Sequence, residues 1–300
     1  MLFRSPKPQT PNPKPQTPNP IIYILGHQIA YLMIKRRFCQ AIGRLLDGGK
    51  DMHRVSIADK VKVTHDSFIM RCKFDADKIV GVPQGHHLRI HFEGDQHLDG
   101  RTYTPLNDLD EKGVADILVK VYRPCAEYPD GGKMGQYLES LKVGDQITVS
   151  GPRGKYIYNS NGEVQFKLLK MIRDYKKISF IAGGSGITPI YQMLVNFKKS
   201  DPTVFTLLYA NKSETDILLR KQLEKFDSLI PNFSFKMTVD KAESSWPHFT
   251  GYVDQAMIKQ VLPEPSEDHL VWVCGPKNMN LALRQQLIDC GHSEDCVYLY

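Results

Sequence analysis

Short apolar runs alternate with amphipathic stretches through the second half of the chain, and this alternation limits the possible folds more than any other feature. The first apolar run covers residues 177–182 and the last covers residues 296–300. Runs of this length predict strands that are buried on both faces, with the helical stretches acting as crossovers in a parallel sheet. We therefore predict a doubly wound parallel sheet over residues 174–300, which would bind ligands at the carboxyl ends of its strands.

A glycine-rich segment, GGSGITP, follows the first predicted strand at residues 183–189. Its glycines allow the backbone to approach a phosphate closely, and Thr188 adds a hydroxyl group. The segment lacks the GxGxxG spacing of the dinucleotide fingerprint and the Lys-Ser/Thr pair of a P-loop. The residues therefore indicate a phosphate-binding loop that follows neither of these two patterns.

Two further features come directly after later strands of the same predicted sheet. Asp240 falls where an adenine ribose would bind, and its carboxylate would accept hydrogen bonds from ribose hydroxyls and repel a 2′-phosphate. This favours NADH over NADPH, although Lys241 weakens the repulsion. Cys274, which precedes Gly275 and Pro276, is explained equally well as a ligand contact and as a small buried apolar side chain.

Residues 50–160 carry a different pattern, in which short strands are separated by turns. Runs rich in β-forming residues recur from residues 55–63 to residues 146–150, with turn clusters such as VPQG and KVGD between them. Several short strands at regular spacing predict a small antiparallel barrel, here of six strands. One predicted helix, residues 134–141, interrupts the pattern.

Two stretches of the predicted barrel carry groups that could hold a nucleotide. In RTYT, Arg101 and Tyr103 share one face of a strand while Thr104 points the other way, which offers a flavin a cation, a ring and a hydroxyl. In GGKMG, residues 131–135, glycines open a helix beside Lys133, which suits a pyrophosphate. Each stretch taken alone is explained as well by an ordinary edge strand or a plain helix start.

The N-terminal residues have the composition of a tail and an anchor. The heptapeptide KPQTPNP occurs twice in succession, which predicts a disordered, proline-rich segment over residues 1–20. An apolar run follows at residues 21–34, but a helix of that length reaches only ~21 Å, short of a hydrocarbon core of ~30 Å. We therefore predict a membrane-associating helix over residues 21–46 that contacts the membrane surface through residues 21–37, where three cations adjoin the apolar run. The alternative is a helix packed on the protein's own surface.

Cysteine spacing and net charge exclude several classes of function. The six cysteines show no CxxC spacing, which argues against a zinc or other metal site and against a disulfide framework, and favours a reducing compartment. The net charge of +6 is too mild to indicate nucleic acid. It does suit an acidic protein partner or an anionic membrane surface.

The order of these motifs resembles one known family. RTYT at residues 101–104, GKM at 132–134, GGSGITP at 183–189 and CGP at 274–276 are similar to the four signatures of the ferredoxin-reductase superfamily. LVKVY at residues 118–122 and YANKSETDILLR at 209–220 resemble its cytochrome b5 reductase branch. The resemblance covers about residues 54–300, and it implies an FAD-binding barrel followed by an NAD-binding domain.

The resemblance also implies an activity and its residues. Hydride would pass from NADH to FAD, and single electrons would then pass to an acidic haem protein such as cytochrome b5, at the cytoplasmic face of the endoplasmic reticulum or the mitochondrial outer membrane. Thr104 and Cys274 would be the catalytic residues. The cofactor-binding residues implied are Arg101, Thr102, Tyr103, Thr104, Leu118, Lys120, Gly132, Lys133, Met134, Gly135, Gly184, Ser185, Gly186, Thr188, Asp240, Cys274, Gly275, Pro276 and Met279.

Two alternatives and one departure accompany this expectation. The acceptor could be that of a nitrate reductase, a ferric reductase or a diaphorase, or the chain could be a flavin-free binding protein that kept the fold. Gly135 stands where the family usually has Ser or Thr. Loss of that hydroxyl would remove one contact to the FAD pyrophosphate and weaken flavin retention by about 0.5–1.5 kcal/mol.

Overall fold

The computed structural model describes residues 43–49, 51–93, 100–126, 128–243 and 245–300. The predicted proline-rich tail and residues 21–42 of the predicted membrane helix lie outside these described residues. Within the described ranges, no helix is both long enough and apolar enough to cross a bilayer.

The first part of the fold is an antiparallel sheet of six strands, as the turn-separated runs predicted. The strands are β1 (His53–Thr64), β2 (Ser67–Lys73), β3 (His87–Ile90), β4 (Arg101–Tyr103), β5 (Val114–Lys120) and β6 (Gln146–Arg153). Their order is β4-β3-β6-β1-β2-β5. Pro105, just after β4, forms an antiparallel bridge with Ile117 in β5, so the two edge strands meet and the sheet closes towards a barrel. Helix α1 (Lys133–Ser140) follows β5.

The predicted membrane helix does not extend through residues 44–46. Arg44 forms a parallel bridge with Ile79, and the N–H groups of Leu45 and Leu46 donate to backbone carbonyls at 2.9 and 3.1 Å. Both leucine side chains are buried in the core of the first sheet. These residues form no helix, because their backbone pairs with residues 79 and 80 and their apolar side chains pack in the core of the barrel.

A small three-stranded antiparallel sheet that no sequence pattern predicted follows the barrel. Its strands are β7 (Tyr156–Tyr158), β8 (Glu163–Phe166) and β9 (Met171–Asp174). Tyr158 joins this sheet to the second half of the chain, because its hydroxyl donates to Asp201 Oδ2 at 2.5 Å. The inward-facing side chains of the sheet, Val164 and Phe166 among them, belong to a core shared with the parallel sheet.

The second part of the fold is the predicted parallel sheet. Its strands are β10 (Lys177–Gly183), β11 (Val204–Asn211), β12 (Phe233–Val239), β13 (Phe249–Thr250), β14 (His269–Cys274) and β15 (Val297–Leu299), and its helices are α2 (Thr188–Val195), α3 (Arg220–Leu229), α4 (Gln255–Val261) and α5 (Lys277–Asp289). The strand order is β13-β12-β11-β10-β14-β15. Phe180 packs into the core on one face of β10 and Ile181 into the core on the other. Burial on both faces explains the continuous apolar runs in the sequence.

Helix α2 ties the parallel sheet to the barrel by hydrogen bonds to backbone groups. The Gly85 N–H donates to Gln192 Oε1 at 3.0 Å, and Gln192 Nε2 donates to the His86 carbonyl at 3.5 Å. Asn196, one turn further along, accepts from the Leu109 N–H at 3.0 Å. Gln192 is fully buried, so its amide serves only this junction.

We expect Gln192→Leu to lower the free energy of unfolding by about 1–3 kcal/mol, because it leaves the buried Gly85 N–H without its acceptor while keeping the side-chain volume similar. Urea denaturation followed by circular dichroism measures the change. Gln165→Leu on β8, a half-buried glutamine, is the matched control and should change stability by less than about 0.5 kcal/mol. Equal effects of the two substitutions would contradict the role given to Gln192.

Candidate functional site

A cleft lies between the barrel and the parallel sheet and extends along the barrel wall. It consists of two cavities of about 630 and about 570 Å³. Both are lined by the same four residues of the barrel: Arg101, Tyr103, Lys120 and Tyr122. The larger cavity is also lined by the loops that end β10 and β14, so the predicted ligand edge of the parallel sheet faces the barrel.

Strands β4 and β5 form the barrel wall of the larger cavity. Thr102 and Thr104 line it together with Leu118. Thr104 is buried, and its position is fixed because Pro105 pairs with Ile117 while the Leu106 N–H donates to the Asp116 carbonyl at 2.8 Å. The predicted nucleotide-binding stretch of the barrel therefore lies in the cleft.

The start of α1 forms the floor of the smaller cavity, with Gly132, Lys133, Met134 and Gly135 in its lining. The Gly132 N–H donates to the Tyr122 carbonyl at 2.8 Å, so this amide is already used and is not free for a pyrophosphate. A Cβ on Gly135 would lie 2.8 Å from the Lys120 carbonyl oxygen. Glycine here therefore has a packing role, since it allows α1 to approach β5 closely.

The glycine loop after β10 and the loop after β14 contact each other. A Cβ on Gly186 would lie only 2.0 Å from the Cys274 carbonyl oxygen, a distance that no side chain allows. Gly184 has φ +53°, and a Cβ there would meet nothing within 4 Å. The Thr188 hydroxyl donates to the Ser185 carbonyl at 3.2 Å, which holds the loop at the start of α2.

Cys274 and Thr104 line the same cavity from opposite walls. Burial raises the pKa of the Cys274 thiol to about 12, so the thiol stays protonated at neutral pH. A neutral thiol is a weak nucleophile, and this agrees with a role in shaping the pocket. One cavity therefore joins the barrel and the parallel sheet at the two residues expected to be catalytic.

The comparisons with known proteins agree with this arrangement. The oxidoreductase FAD-binding domain matches residues 54–158, and the oxidoreductase NAD-binding domain matches residues 180–285. NADH-cytochrome b5 reductase 2 of Mus musculus is 36% identical over 255 residues, which cover 81% of this chain and 92% of the relative. NADH-cytochrome b5 reductase 1 of Homo sapiens is 34% identical over 291 residues, which cover 93% and 95%. This chain belongs to the NADH–cytochrome b5 reductase family.

A solved structure of a related protein has the same fold as this chain. The cytochrome b5 reductase domain of Ulva prolifera nitrate reductase superposes with a TM-score of 0.80 at 31% identity, covering 86% of this chain and 100% of that domain. The resemblance found in the motifs is thereby confirmed, together with the predicted fold. The chain is an oxidoreductase whose two cofactors are FAD and NADH.

The residues of the cleft fit these cofactors. Arg101 and Lys133 place cationic side chains in the lining, and Tyr103 places a ring there, which are group types that can bind phosphates and a flavin. The open side of Gly184 is a place where a ligand can approach the backbone. Because the two cavities share their barrel wall, one extended dinucleotide can occupy both while a second enters from the parallel sheet.

Three of the predicted cofactor residues do not line either cavity. Met279 lies beneath the loops, since its sulfur would be 2.5 Å from a Cβ on Gly183 and 3.0 Å from one on Gly275. Asp240 is exposed just after β12, and its N–H donates to the Asn211 carbonyl at 3.1 Å. Gly184 lines neither cavity, but no atom lies within 4 Å of where its Cβ would be, so a ligand could reach its backbone. The other predicted residues all lie in the cleft, including Ser185 and Pro276.

Several aromatic and polar residues of the cleft were missed by the sequence analysis. They are His87, Tyr122, Tyr128, Asp130 and Tyr300. Tyr300 donates its backbone N–H to the Val273 carbonyl at 2.9 Å and its hydroxyl to the Gly85 carbonyl, so it connects the parallel sheet with the barrel. Its position at the end of the last predicted strand was the available signal, because ligands bind at that edge.

A charged cluster joins the barrel to the parallel sheet beside the cleft. Lys120 Nζ lies 2.7 Å from Asp66 Oδ2 and 3.5 Å from Asp216 Oδ1, and all three side chains are largely buried. His65 Nε2 lies 3.6 Å from the same oxygen of Asp66. Burial by itself would raise the pKa of Asp66, but hydrogen bonds and charge from Lys120, with help from Thr64 and Ser67, hold that pKa below its ordinary value. Lys120 thus supplies the positive charge that these acids require.

Proposed function

We propose that this reductase delivers electrons from NADH, through FAD, to an acidic haem protein of the cytochrome b5 type. The observation that carries the proposal is the single cavity lined by Thr104 from the barrel and by Cys274 from the parallel sheet. Electron transfer between two coenzymes requires their reactive rings to meet in one cleft, and this cavity provides that meeting place.

The barrel side would hold and orient FAD. Arg101 and Lys133 would bind its phosphates as cations, and Tyr103 would pack against it. Thr104 would donate a hydrogen bond to the ring nitrogen that receives the hydride. When bound, FAD supplies the chemistry that links a two-electron donor to a one-electron acceptor.

The parallel-sheet side would position NADH. The glycine loop, with Ser185 and Thr188, would approach the phosphate groups, and the protonated Cys274 would shape the nicotinamide pocket without adding a charge. Asp240 would accept hydrogen bonds from the adenine ribose and repel a 2′-phosphate. Together these residues fix which ring faces the barrel and which coenzyme is used.

Charge supports the proposed acceptor and the proposed membrane contact. The net charge of +6 suits an acidic partner, and long-range attraction would speed its docking. Residues 21–37 would contact the cytoplasmic surface of the endoplasmic reticulum or of the mitochondrial outer membrane, through their apolar run and cationic end.

Rapid mixing of the FAD-loaded protein with NADH, with NADPH and then with cytochrome b5 tests the proposal. We expect NADH to reduce the flavin absorbance at least about tenfold more efficiently than NADPH, and reduction of cytochrome b5 to slow as salt is raised. An uncharged quinone acceptor, whose reduction should not depend on salt, is the control. Equal efficiency of the two coenzymes would contradict the role of Asp240. Purified protein that is colourless and takes up no FAD would overturn the whole proposal in favour of a binding protein.

A further inference from the structure

The turn between β8 and β9 exposes an apolar pair at the tip of a hairpin. The turn is KLLK, residues 167–170, and the side chains of Leu168 and Leu169 are 77% and 59% exposed. Ile172 on β9 is a further 57% exposed on the outward face of the same sheet. Isolated exposed leucines are common on protein surfaces, but three neighbouring apolar side chains at one projecting turn call for a partner.

Positive charge surrounds this apolar tip. Lys167 and Lys170 flank the two leucines, and Lys155 is adjacent because its carbonyl accepts from the Lys167 N–H at 2.9 Å. All three lysines are exposed. From residue 153 to residue 173 the chain carries five Lys or Arg residues and a single acid, Glu163, which pairs at the far end of the hairpin with Asp174. Exposed lysines therefore adjoin the apolar tip, while the acids of the hairpin, Glu163 and Asp174, lie at its other end.

The hairpin directs these side chains away from the core. Phe166 and Met171 close the turn as a cross-strand pair, and Phe166 is buried in the core that the hairpin shares with the parallel sheet. Lys170 has φ +51°, the left-handed conformation that reverses the chain after a short turn. The core side chains and the turn geometry thus leave Leu168 and Leu169 no place among the buried residues.

We propose that this hairpin tip contacts an anionic membrane, with Leu168 and Leu169 entering the lipid interface and the lysines binding its headgroups. A stable protein partner needs a complementary face of about 800 Å² on each side, whereas a four-residue convex tip fits a deformable lipid surface better. Burying apolar side chains between acyl chains while nearby lysines meet anionic headgroups is the usual chemistry of interfacial binding. The contact is separate from the one proposed for residues 21–37.

Contact at the hairpin tip would give the protein a second point of attachment to the membrane, in addition to residues 21–37. Two weak contacts in one chain act together, since the first raises the effective concentration of the second. Attachment at the hairpin would also constrain the orientation of the cleft relative to the bilayer, because two separate contacts restrict rotation more than one contact does.

Vesicle sedimentation with the full FAD-loaded chain tests the proposal. On vesicles of phosphatidylserine mixed with phosphatidylcholine, we expect the double substitution Leu168→Ser and Leu169→Ser to weaken binding by about tenfold. Leu229→Ser with Leu281→Ser, which removes two other exposed leucines, is the matched control and should bind as the unchanged chain does. Lys167→Gln with Lys170→Gln should weaken binding about 25-fold on these vesicles, at roughly fivefold for each lysine, and should not weaken it on phosphatidylcholine alone. Unchanged reduction of a soluble quinone shows that each variant is folded.

A fluorescent probe reports the contact directly. Leu169→Trp should show a blue-shifted emission that brominated lipids quench when vesicles are added. Binding of the Leu168/Leu169 variant equal to that of the control would overturn the hairpin contact while leaving residues 21–37 in place, and failure of the unchanged chain to bind vesicles would overturn both. If the Leu168→Ser, Leu169→Ser variant instead slowed cytochrome b5 reduction in the absence of vesicles, the tip would be a protein-docking surface and the membrane proposal would be wrong.

Discussion

Alanine at position 186 is expected to lower kcat/KM for NADH by about 100-fold, because a Cβ there would lie 2.0 Å from the Cys274 carbonyl oxygen. The contacting atom belongs to the backbone and cannot rotate away. The glycine loop and the loop after β14 must therefore separate by more than 1 Å, a shift of the size that costs about two orders of magnitude in rate when it misplaces reacting groups. Stopped-flow reduction of the flavin by NADH measures the effect.

Gly251→Ala is the matched control for this substitution. Gly251 follows β13 in the same sheet, has φ +100° and lines neither cavity, and a Cβ there meets nothing within 4 Å. Alanine at position 251 should therefore cost only the strain of a left-handed conformation, about 1 kcal/mol. FAD content, read from the absorbance of the purified protein, should be similar in both variants. If Gly186→Ala kept its NADH kinetics within about threefold of the unchanged protein, contact between the two loops would not be needed for coenzyme binding.

The parts of the fold that the sequence predicted correctly are those with strong periodic patterns. Continuous apolar runs such as residues 177–182 predicted buried parallel strands, and the strand there is Lys177–Gly183. The turn-separated runs likewise predicted six antiparallel strands. In each case burial of one or both faces imposes a pattern that a single sequence displays.

The parts that were missed depend on contacts between distant residues. Helix α3, for example, begins only at Arg220, because Leu219 has φ +59° and Asp216 lies in a separate 3₁₀ turn, and neither feature has a signal in the amphipathic pattern. The sequence predicts a membrane helix that includes Leu45 and Leu46, because an apolar side chain does not reveal whether lipid or a protein core covers it. Tertiary burial decided that position.

The candidate site shows the same division. Glycine-rich loops and the RTYT strand were found because local backbone geometry determines their residue types. Tyr122 and Tyr128 carry no such local signal, because they line the cleft only through the packing of the start of α1 beside β5. The pairing of Lys120 with Asp216 across the two halves of the chain was equally invisible, since 96 positions separate the two residues.

That pairing predicts a large loss of stability when Lys120 is replaced. Lys120→Met removes the ammonium group that lies close to both Asp66 and Asp216 in the charged cluster, and leaves two largely buried carboxylates side by side. We expect the free energy of unfolding at pH 7 to fall by about 2–4 kcal/mol, as it does when one partner of a mostly buried ion pair is removed. Urea denaturation of the FAD-free protein measures it, since urea does not screen charges and no difference in FAD affinity then enters the measured stability. Lys176→Met is the matched control, because Lys176 pairs with Asp268 at 3.1 Å on an exposed surface and should change stability by less than about 0.5 kcal/mol.

The pH dependence of this loss distinguishes an electrostatic cause from a packing cause. In the unchanged protein the pKa of Asp66 is held below its ordinary value, so its carboxylate stabilises the fold above the ordinary pKa, and that stabilisation is lost as the pH falls through the lowered value. Without Lys120, burial and the charge of Asp216 should raise the pKa of Asp66 above its ordinary value, so the same carboxylate destabilises the fold at neutral pH and stability returns as the pH falls through the raised value. The difference between the two proteins should therefore be largest near pH 7 and shrink below about pH 5. A difference that stays constant from pH 7 to about pH 4 would show that Lys120 acts through packing of its aliphatic stem.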